Sequence, residues 1–127
     1  MLIIICDDDQ DHRELHAALL SQRGHEVDAV GDPVTVLRQL AARKYDLVIS
    51  ALIMPEINGY ELLQEAHRLG HTVPFVLFSG HTTVINNPRH YRELGFAAVL
   101  SKDVSIGHFL AEIEQIGTQA TERLEDV

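Results

Sequence analysis

The chain of 127 residues contains a single cysteine, Cys6, and no tryptophan. One cysteine excludes an internal disulfide framework and a Cys-x-x-Cys metal site, and it is typical of a reducing compartment, so we expect a cytoplasmic protein. Long apolar segments are also missing, because the first apolar run covers only residues 1–6 and a bilayer span needs roughly 20. The sequence therefore predicts neither a signal peptide nor a membrane anchor.

Basic residues are scarce as well. Ten Lys and Arg stand against nineteen Asp and Glu, and the formal net charge of −9 has the wrong sign for neutralising phosphates, which disfavours direct nucleic-acid binding. Repeats and linker-like segments are lacking, and the proportion of apolar residues, 46%, is enough for one core. We therefore predict a single domain over residues 1–120, followed by a tail of residues 121–127.

Short apolar runs alternate with segments of helical periodicity along the chain. This alternation is typical of an α/β fold in which a parallel sheet is covered by helices on both faces, here a (βα)₅ doubly wound domain. The predicted strands are Leu2–Cys6, Glu26–Val30, Leu47–Ser50, Phe75–Ser79 and residues 97–100.

Caps and turn residues delimit five predicted helices. The first is expected to bury a stripe of Leu15, Ala18 and Leu19, and the second to begin at Pro33 after an Asp32 N-cap. The third opens at residues 58–59, the fourth covers residues 88–94, and the last runs over residues 105–116.

Polar side chains follow several of the predicted strands. Asp7, Asp8 and Asp9 follow the first, Ser79 ends the fourth, and Lys102 follows the fifth. The carboxyl ends of parallel strands meet at one crevice in such a sheet. Carboxylates suit Mg²⁺, while a lysine and a hydroxyl suit phosphoryl oxygens, so this combination indicates a phosphoryl-transfer site.

These residues occur in the order found in a known family. The sequence resembles the receiver domain of bacterial two-component response regulators over nearly the whole chain, which implies a flavodoxin-like sheet of strand order 2-1-3-4-5. The motifs that carry the resemblance are the Asp7-Asp8 pair, the segment of residues 46–59 with its Met-Pro step, the Ser-Gly-His of residues 79–81, and Lys102.

The resemblance also implies a role for each site residue. Asp7 and Asp8 would hold Mg²⁺, with Asp8 the expected direct ligand and Ile53 lending a backbone carbonyl. Ser79 would be the switch hydroxyl that contacts the phosphoryl group, and Lys102 would pair with the phosphoryl oxygens.

One position departs from the family pattern. The phosphoacceptor aspartate of the family lies three residues before the Met-Pro step, where this chain has Ala51. A methyl group can neither accept a phosphoryl group nor ligate a metal, so we expect Mg²⁺ binding to be weak or absent. Ser50 is not expected to substitute, because side chains alternate along a strand and it should face the other side of the sheet.

Two origins of this alanine remain open. The other site residues are retained, which favours an engineered aspartate-to-alanine change in an ordinary receiver. A natural pseudo-receiver is favoured by three further departures: Asp103 in place of the usual proline, Val99 in place of the aromatic switch residue, and the Asn87-Pro88 break in the fourth helix.

We therefore expect a binding module rather than an enzyme, one that signals through protein contacts without being phosphorylated. The implied partner is a sensor histidine kinase or a downstream signalling protein, and a homodimer is also consistent with the resemblance. An alternative of another class is an Mg²⁺-dependent phosphatase with Asp7 as nucleophile and Asp9 as acid. A flavin-binding protein is disfavoured, because the acidic residues after the first strand would repel its phosphate.

Eight histidines are many for this length. His12 and His16 have the i, i+4 spacing that can bind a transition metal on one helical face. No third ligand accompanies them, so we expect solvated side chains. Cys6, inside the first predicted strand, is expected to be a buried small hydrophobic residue.

Overall fold

A computed structural model describes residues 1–125, with side chains described through residue 119. Its five parallel strands lie in the order β2-β1-β3-β4-β5, which confirms the predicted flavodoxin-like sheet. The strands are β1 (Leu2–Cys6), β2 (Glu26–Val30), β3 (Leu47–Ser50), β4 (Phe75–Ser79) and β5 (Ala98–Ser101). The first four match the predicted bounds, and β5 lies one residue further along.

In the described part of the chain, six helices connect and cover the strands. They are α1 (Gln10–Gln22), α2 (Pro33–Ala42), α3 (Gly59–Arg68), α4 (Thr82–Ile85), α5 (Pro88–Glu93) and α6 (Ile106–Glu125). Over residues 1–125, none of these helices combines the length and the apolarity that crossing a bilayer requires.

The core has two layers, one on each face of the sheet. Alternation along the strands sends Ile4 and Cys6 to one layer, and Ile3 and Ile5 to the other. The first layer includes residues of α2 and α3, and the second includes residues of α1 and α6. Every residue of β3 and β4 is buried, as expected for central strands of a covered parallel sheet.

Asp32 begins α2 as predicted. Its carboxylate accepts hydrogen bonds from the backbone N–H and the hydroxyl of Thr35, at 2.8 to 2.9 Å. These bonds, the backbone one first, lower the pKa of Asp32. A carboxyl group whose pKa is depressed by folding contributes stability above its unfolded pKa, and this contribution is lost as the pH falls through the folded value.

Asp32→Ala is therefore expected to lower the free energy of unfolding by about 1 kcal/mol at neutral pH. The difference from the parent chain should shrink as the pH falls below the ordinary aspartate pKa, because the protonated carboxyl caps poorly. Urea unfolding at several pH values measures both effects. Asp103→Ala, at an exposed position, is the matched control, and an equal loss in both variants would contradict the capping role.

Two helices differ from the sequence-based expectation. A short helix, α4, precedes the predicted fourth helix, and the His81 ring nitrogen accepts a hydrogen bond from the Thr83 N–H at its start. The last helix continues past residue 116 to Glu125, so residues 121–125 of the predicted tail are helical. No glycine or proline follows Gly117, and the sequence there contains good helix formers. Residues 126–127 lie outside the described residues.

The buried face of α1 also differs from the prediction. His16 and Leu20 are its buried residues, whereas Leu15 is 51% exposed. The helix therefore packs on the stripe of residues 12, 16 and 20 rather than on Leu15, Ala18 and Leu19. The expectation of a solvated His16 is wrong, because the ring fills a place between β4 and α6.

Candidate functional site

The predicted acidic and basic residues meet at the carboxyl edge of the sheet. Lys102, directly after β5, places its Nζ atom 2.8 Å from Oδ2 of Asp7, directly after β1. The Asp7 side chain is only 4% exposed, so this pair is shielded from water far more than a surface salt bridge. The convergence of strand ends that the sequence predicted therefore brings Lys102 and Asp7 into contact.

Asp7 makes several further contacts. Its Oδ1 accepts a hydrogen bond from the Asp9 N–H at 3.0 Å, and Nδ1 of His12 lies 3.0 Å from Oδ2. The Asp7 backbone is held as well, because its carbonyl accepts from Arg13 and its N–H donates to Val30. Both carboxylate oxygens are therefore engaged within the chain.

The neighbouring acids have different roles. Asp8 is exposed, and Asp9 is the N-cap of α1, where its carboxylate accepts a hydrogen bond from the His12 N–H at 3.1 Å. That bond lowers the pKa of Asp9. In the phosphatase alternative Asp7 would be the nucleophile and Asp9 the acid; here Asp7 is paired with Lys102 and Asp9 caps α1.

Ala51 lies directly after β3, beside the end of β1. Its N–H donates to the Cys6 carbonyl at 3.0 Å, and the residue is 5% exposed. Ser50 is fully buried, and its hydroxyl donates to the Ala51 carbonyl at 2.8 Å. The Ser50 hydroxyl is therefore used within the core, in agreement with the expectation that it does not replace the missing aspartate.

Ser79 and Lys102 lie at adjacent strand ends. The Lys102 N–H donates to the Ser79 carbonyl at 3.1 Å, and the Ser79 hydroxyl accepts from the His81 N–H at 3.0 Å. Val99 is half-buried against the core layer of α2 and α3. Ile53 lies in the loop between β3 and α3 with an exposed side chain, and the metal-binding role of its carbonyl stays a prediction.

The oxygen donors that the resemblance implies for Mg²⁺ form an incomplete set in this chain. Ala51 supplies a methyl group, and both oxygens of Asp7 are engaged by Asp9, Lys102 and His12. Among the residues whose side chains are described, 1–119, no group of three or more His, Cys, Asp or Glu is placed to hold a metal ion. The residues present therefore do not fit the three-carboxylate site that the resemblance implies.

Four aromatic and imidazole rings pack together beside Asp7. The sequence analysis did not predict this cluster. His12 and His16 have ring centroids 4.1 Å apart, and both contact Phe78 of β4 at about 5 Å. Phe78 in turn stacks on Phe109 of α6 at 4.9 Å. The only signal in the sequence was the i, i+4 spacing of the histidines, which was interpreted as a solvated pair.

Cys6 is fully buried at the end of β1, as predicted. Its Sγ lies 3.3 Å from the Met54 sulfur, and burial raises the pKa of the thiol to about 12. A thiol must be deprotonated and accessible to react, so Cys6 is inert in the folded chain.

We expect Cys6 to resist Ellman's reagent in the native protein at mildly alkaline pH. One thiol should react promptly once the chain is unfolded in guanidinium chloride. Absorbance of the released thiolate measures both states. Fast stoichiometric reaction of the native chain would contradict the burial of Cys6.

A model of the response regulator receiver domain matches residues 3–114. The sensor histidine kinase RcsC of Salmonella typhimurium is 32% identical over 106 residues, which are 84% of this chain and 11% of the kinase. The response regulator receiver protein CpdR of Brucella abortus is 25% identical over 90% of this chain and 94% of its own length. This chain thus spans about a tenth of the sensor kinase.

Solved structures agree with the fold. A CheY-like receiver domain protein of Methanospirillum hungatei superposes with a TM-score of 0.86 at 22% identity, over 96% of this chain and 97% of that one. NtrX of Brucella abortus superposes with a TM-score of 0.88 at 25% identity, over 98% of this chain and 28% of that one. With the family model covering residues 3–114, the chain belongs to the response regulator receiver domain family of two-component systems.

Proposed function

We propose that this chain acts as a receiver domain that signals through protein contacts and does not accept a phosphoryl group. The observation that carries the proposal is Ala51 directly after β3, buried beside Cys6, at the position where the resemblance implies the family's acceptor aspartate. An alanine side chain has no lone pair to attack phosphorus, so aspartyl phosphate cannot form there.

Nearby side chains offer no replacement nucleophile. Ser50 is buried with its hydroxyl bonded to the Ala51 carbonyl, and the carboxylate of Asp7 is engaged by Lys102 and His12. Cys6 is buried and protonated. The absence of an available acceptor among these side chains supports a binding role rather than an enzymatic one.

The resting arrangement of the site is held by internal contacts. Lys102 is tied to Asp7, and Ser79 to the start of α4 through the His81 N–H. In a phosphorylated receiver these two side chains would read the modified state. Here they brace β1, β4 and β5 in one arrangement, and Val99 supplies no aromatic ring to reorient.

Partner contacts are proposed for the surface formed by α4, α5, β5 and the start of α6. Ile85 of α4 and Ile106 of α6 expose large apolar side chains there. The partner is a sensor histidine kinase or a downstream signalling protein in the cytoplasm, and a homodimer through the same surface is the further form proposed. Mg²⁺ binding is weak or absent, because the donor set is incomplete.

Incubation with acetyl phosphate and Mg²⁺ tests the proposal. Intact-mass spectrometry is expected to detect no phosphoryl adduct on the chain, with the Ala51→Asp variant as the positive control. The same samples should release no nitrophenol from p-nitrophenyl phosphate. An adduct on the chain as it stands would refute the proposal, and turnover of the ester would support a phosphatase instead.

A further inference from the structure

A groove of about 1020 Å³ lies at the amino edge of the sheet, opposite the strand ends that carry Asp7 and Lys102. Its walls are the segments that lead into β3, β4 and β5, together with the end of α2 and the second half of α6. None of the site residues described above lines it. Small-molecule pockets have volumes of roughly 300–1,000 Å³, so the groove has the size of a ligand site.

The floor of the groove is apolar. Leu40, Tyr45 and Ile116 line it and are only 6–8% exposed, and Val73 and Pro74 beside them are half-buried. Leu40 and Tyr45 belong to the core layer of α2 and α3, whereas Ile116 belongs to the layer of α1 and α6. The two core layers therefore reach the surface together in this groove, which offers an apolar ligand a continuous surface.

The rim of the groove carries hydrogen-bond donors. Lys44 is exposed there, and its ammonium makes no ion pair with any side chain described in residues 1–119. The half-buried His71 and the exposed Thr72 lie on the neighbouring wall. The segments before β3 and β4 run side by side, because the Val48 N–H donates to the Pro74 carbonyl at 3.0 Å.

The other two ionised side chains of the groove are engaged within the chain. The Arg43 guanidinium donates to two carboxylates of β2 at 2.7 and 2.8 Å, and the Asp46 carboxylate accepts from the Leu2 N–H at 2.7 Å. Lys44 is therefore the cation of this groove that is available to a ligand. The formal charge of −9 is spread over the whole chain, and salt screens charges beyond about 8 Å, so the nearby ammonium determines which ion is attracted.

We propose that this groove binds an amphiphilic carboxylate of the fatty-acid type. The acyl chain lies on the apolar floor, where burial of its methylene groups supplies affinity. The carboxylate meets the Lys44 ammonium, which donates a charge-assisted hydrogen bond. A neutral head group would lack this bond, and a cationic one would be repelled. The site lies away from residue 51 and does not depend on the proposed function.

Titration of the isotope-labelled chain with decanoate, below its micelle-forming concentration, tests the proposal by amide NMR. The shifted amides are expected to lie in residues 43–46, 70–74 and around Ile116. Decanol and decyltrimethylammonium carry the same chain with neutral and cationic head groups. Decanoate is expected to bind about tenfold more tightly than decanol, because one hydrogen bond between charged groups is added. The cationic ligand should bind no better than decanol.

Three variants separate the head-group contact from the apolar floor. Lys44→Gln should bind decanoate about tenfold more weakly and decanol unchanged. Arg38→Gln is the matched control, because it removes an exposed cation of α2 outside the groove. Ala97→Trp fills the groove from an exposed position and should abolish binding of both ligands. Circular dichroism checks folding, and Ala97→Leu replaces the tryptophan variant if that chain does not fold.

Four results would overturn the proposal. Decanoate leaves the groove amides unshifted, or it binds no more tightly than decanol, or Lys44→Gln and Arg38→Gln weaken it equally. The fourth is a dimer in analytical ultracentrifugation whose groove amides shift on dilution without ligand, since a second copy of the chain would then occupy the groove. None of these results bears on acetyl phosphate, so the proposed function stands or falls separately.

Discussion

The Ala51→Asp variant is expected to gain one phosphoryl group from acetyl phosphate in the presence of Mg²⁺, whereas the parent chain gains none. The new carboxylate would stand directly after β3, next to the end of β1, because the residue 51 N–H is bonded to the Cys6 carbonyl. There it adds the missing acid to a site that already holds Asp7, Asp8 and Lys102. A carboxylate oxygen supplies the nucleophile, and the positioned lysine stabilises charge on the transferred group.

Intact-mass spectrometry before and after incubation measures the gain, and lability of the adduct in alkali or hydroxylamine identifies an acyl phosphate. Ala51→Asn is the matched control, since asparagine has nearly the size of aspartate but no nucleophilic carboxylate. An unmodified Ala51→Asp protein that is folded would mean that the remaining residues no longer form a competent acceptor site.

The strands were predictable from the sequence because their signals are local. β1, β3 and β4 are continuous apolar runs, and such runs belong to central strands whose two faces are both covered. The sheet order followed from the family resemblance. In contrast, α4 has only four residues and carries no periodicity of its own, so it could not be recognised.

The packing of α1 depended on tertiary contacts that no local pattern contains. Leu15 is more apolar than His16, and hydrophobicity alone assigned it to the core. His16 is buried instead because its ring meets Phe78 and Phe109, which come from β4 and α6. Its polar nitrogen is satisfied locally by the carbonyl of His12, which removes most of the cost of burying it.

The sequence predicted that polar residues at the strand ends meet, but not every contact that they make. The rule that strand ends converge brought Asp7 and Lys102 together correctly. The assignment of Ala51 to the acceptor position rests on its distance from the Met-Pro step and stays a prediction. The position of the His12 ring near Asp7 was not predicted, because it depends on packing against Phe78, which is distant in sequence.

Gly59→Ala is expected to lower the free energy of unfolding by about 1–3 kcal/mol. A Cβ atom built at Gly59 would lie 2.3 Å from the Ala51 carbonyl oxygen and 3.2 Å from the Ser50 hydroxyl. The first obstacle is backbone, so the start of α3 must move away from the end of β3. That movement also strains the 2.7 Å hydrogen bond from the Gly59 N–H to the Leu52 carbonyl.

Gly107→Ala in α6 is the matched control, because a Cβ there meets no heavy atom within 4 Å. Alanine is a better helix former than glycine, so the free energy of unfolding of Gly107→Ala should rise by about 0.5–1 kcal/mol. Gly59→Ala has the same favourable contribution, and the steric clash must exceed it for this variant to be destabilised. Urea unfolding shows whether each substitution lowers or raises the free energy of unfolding. Stabilisation of both would mean that α3 does not approach the end of β3 this closely.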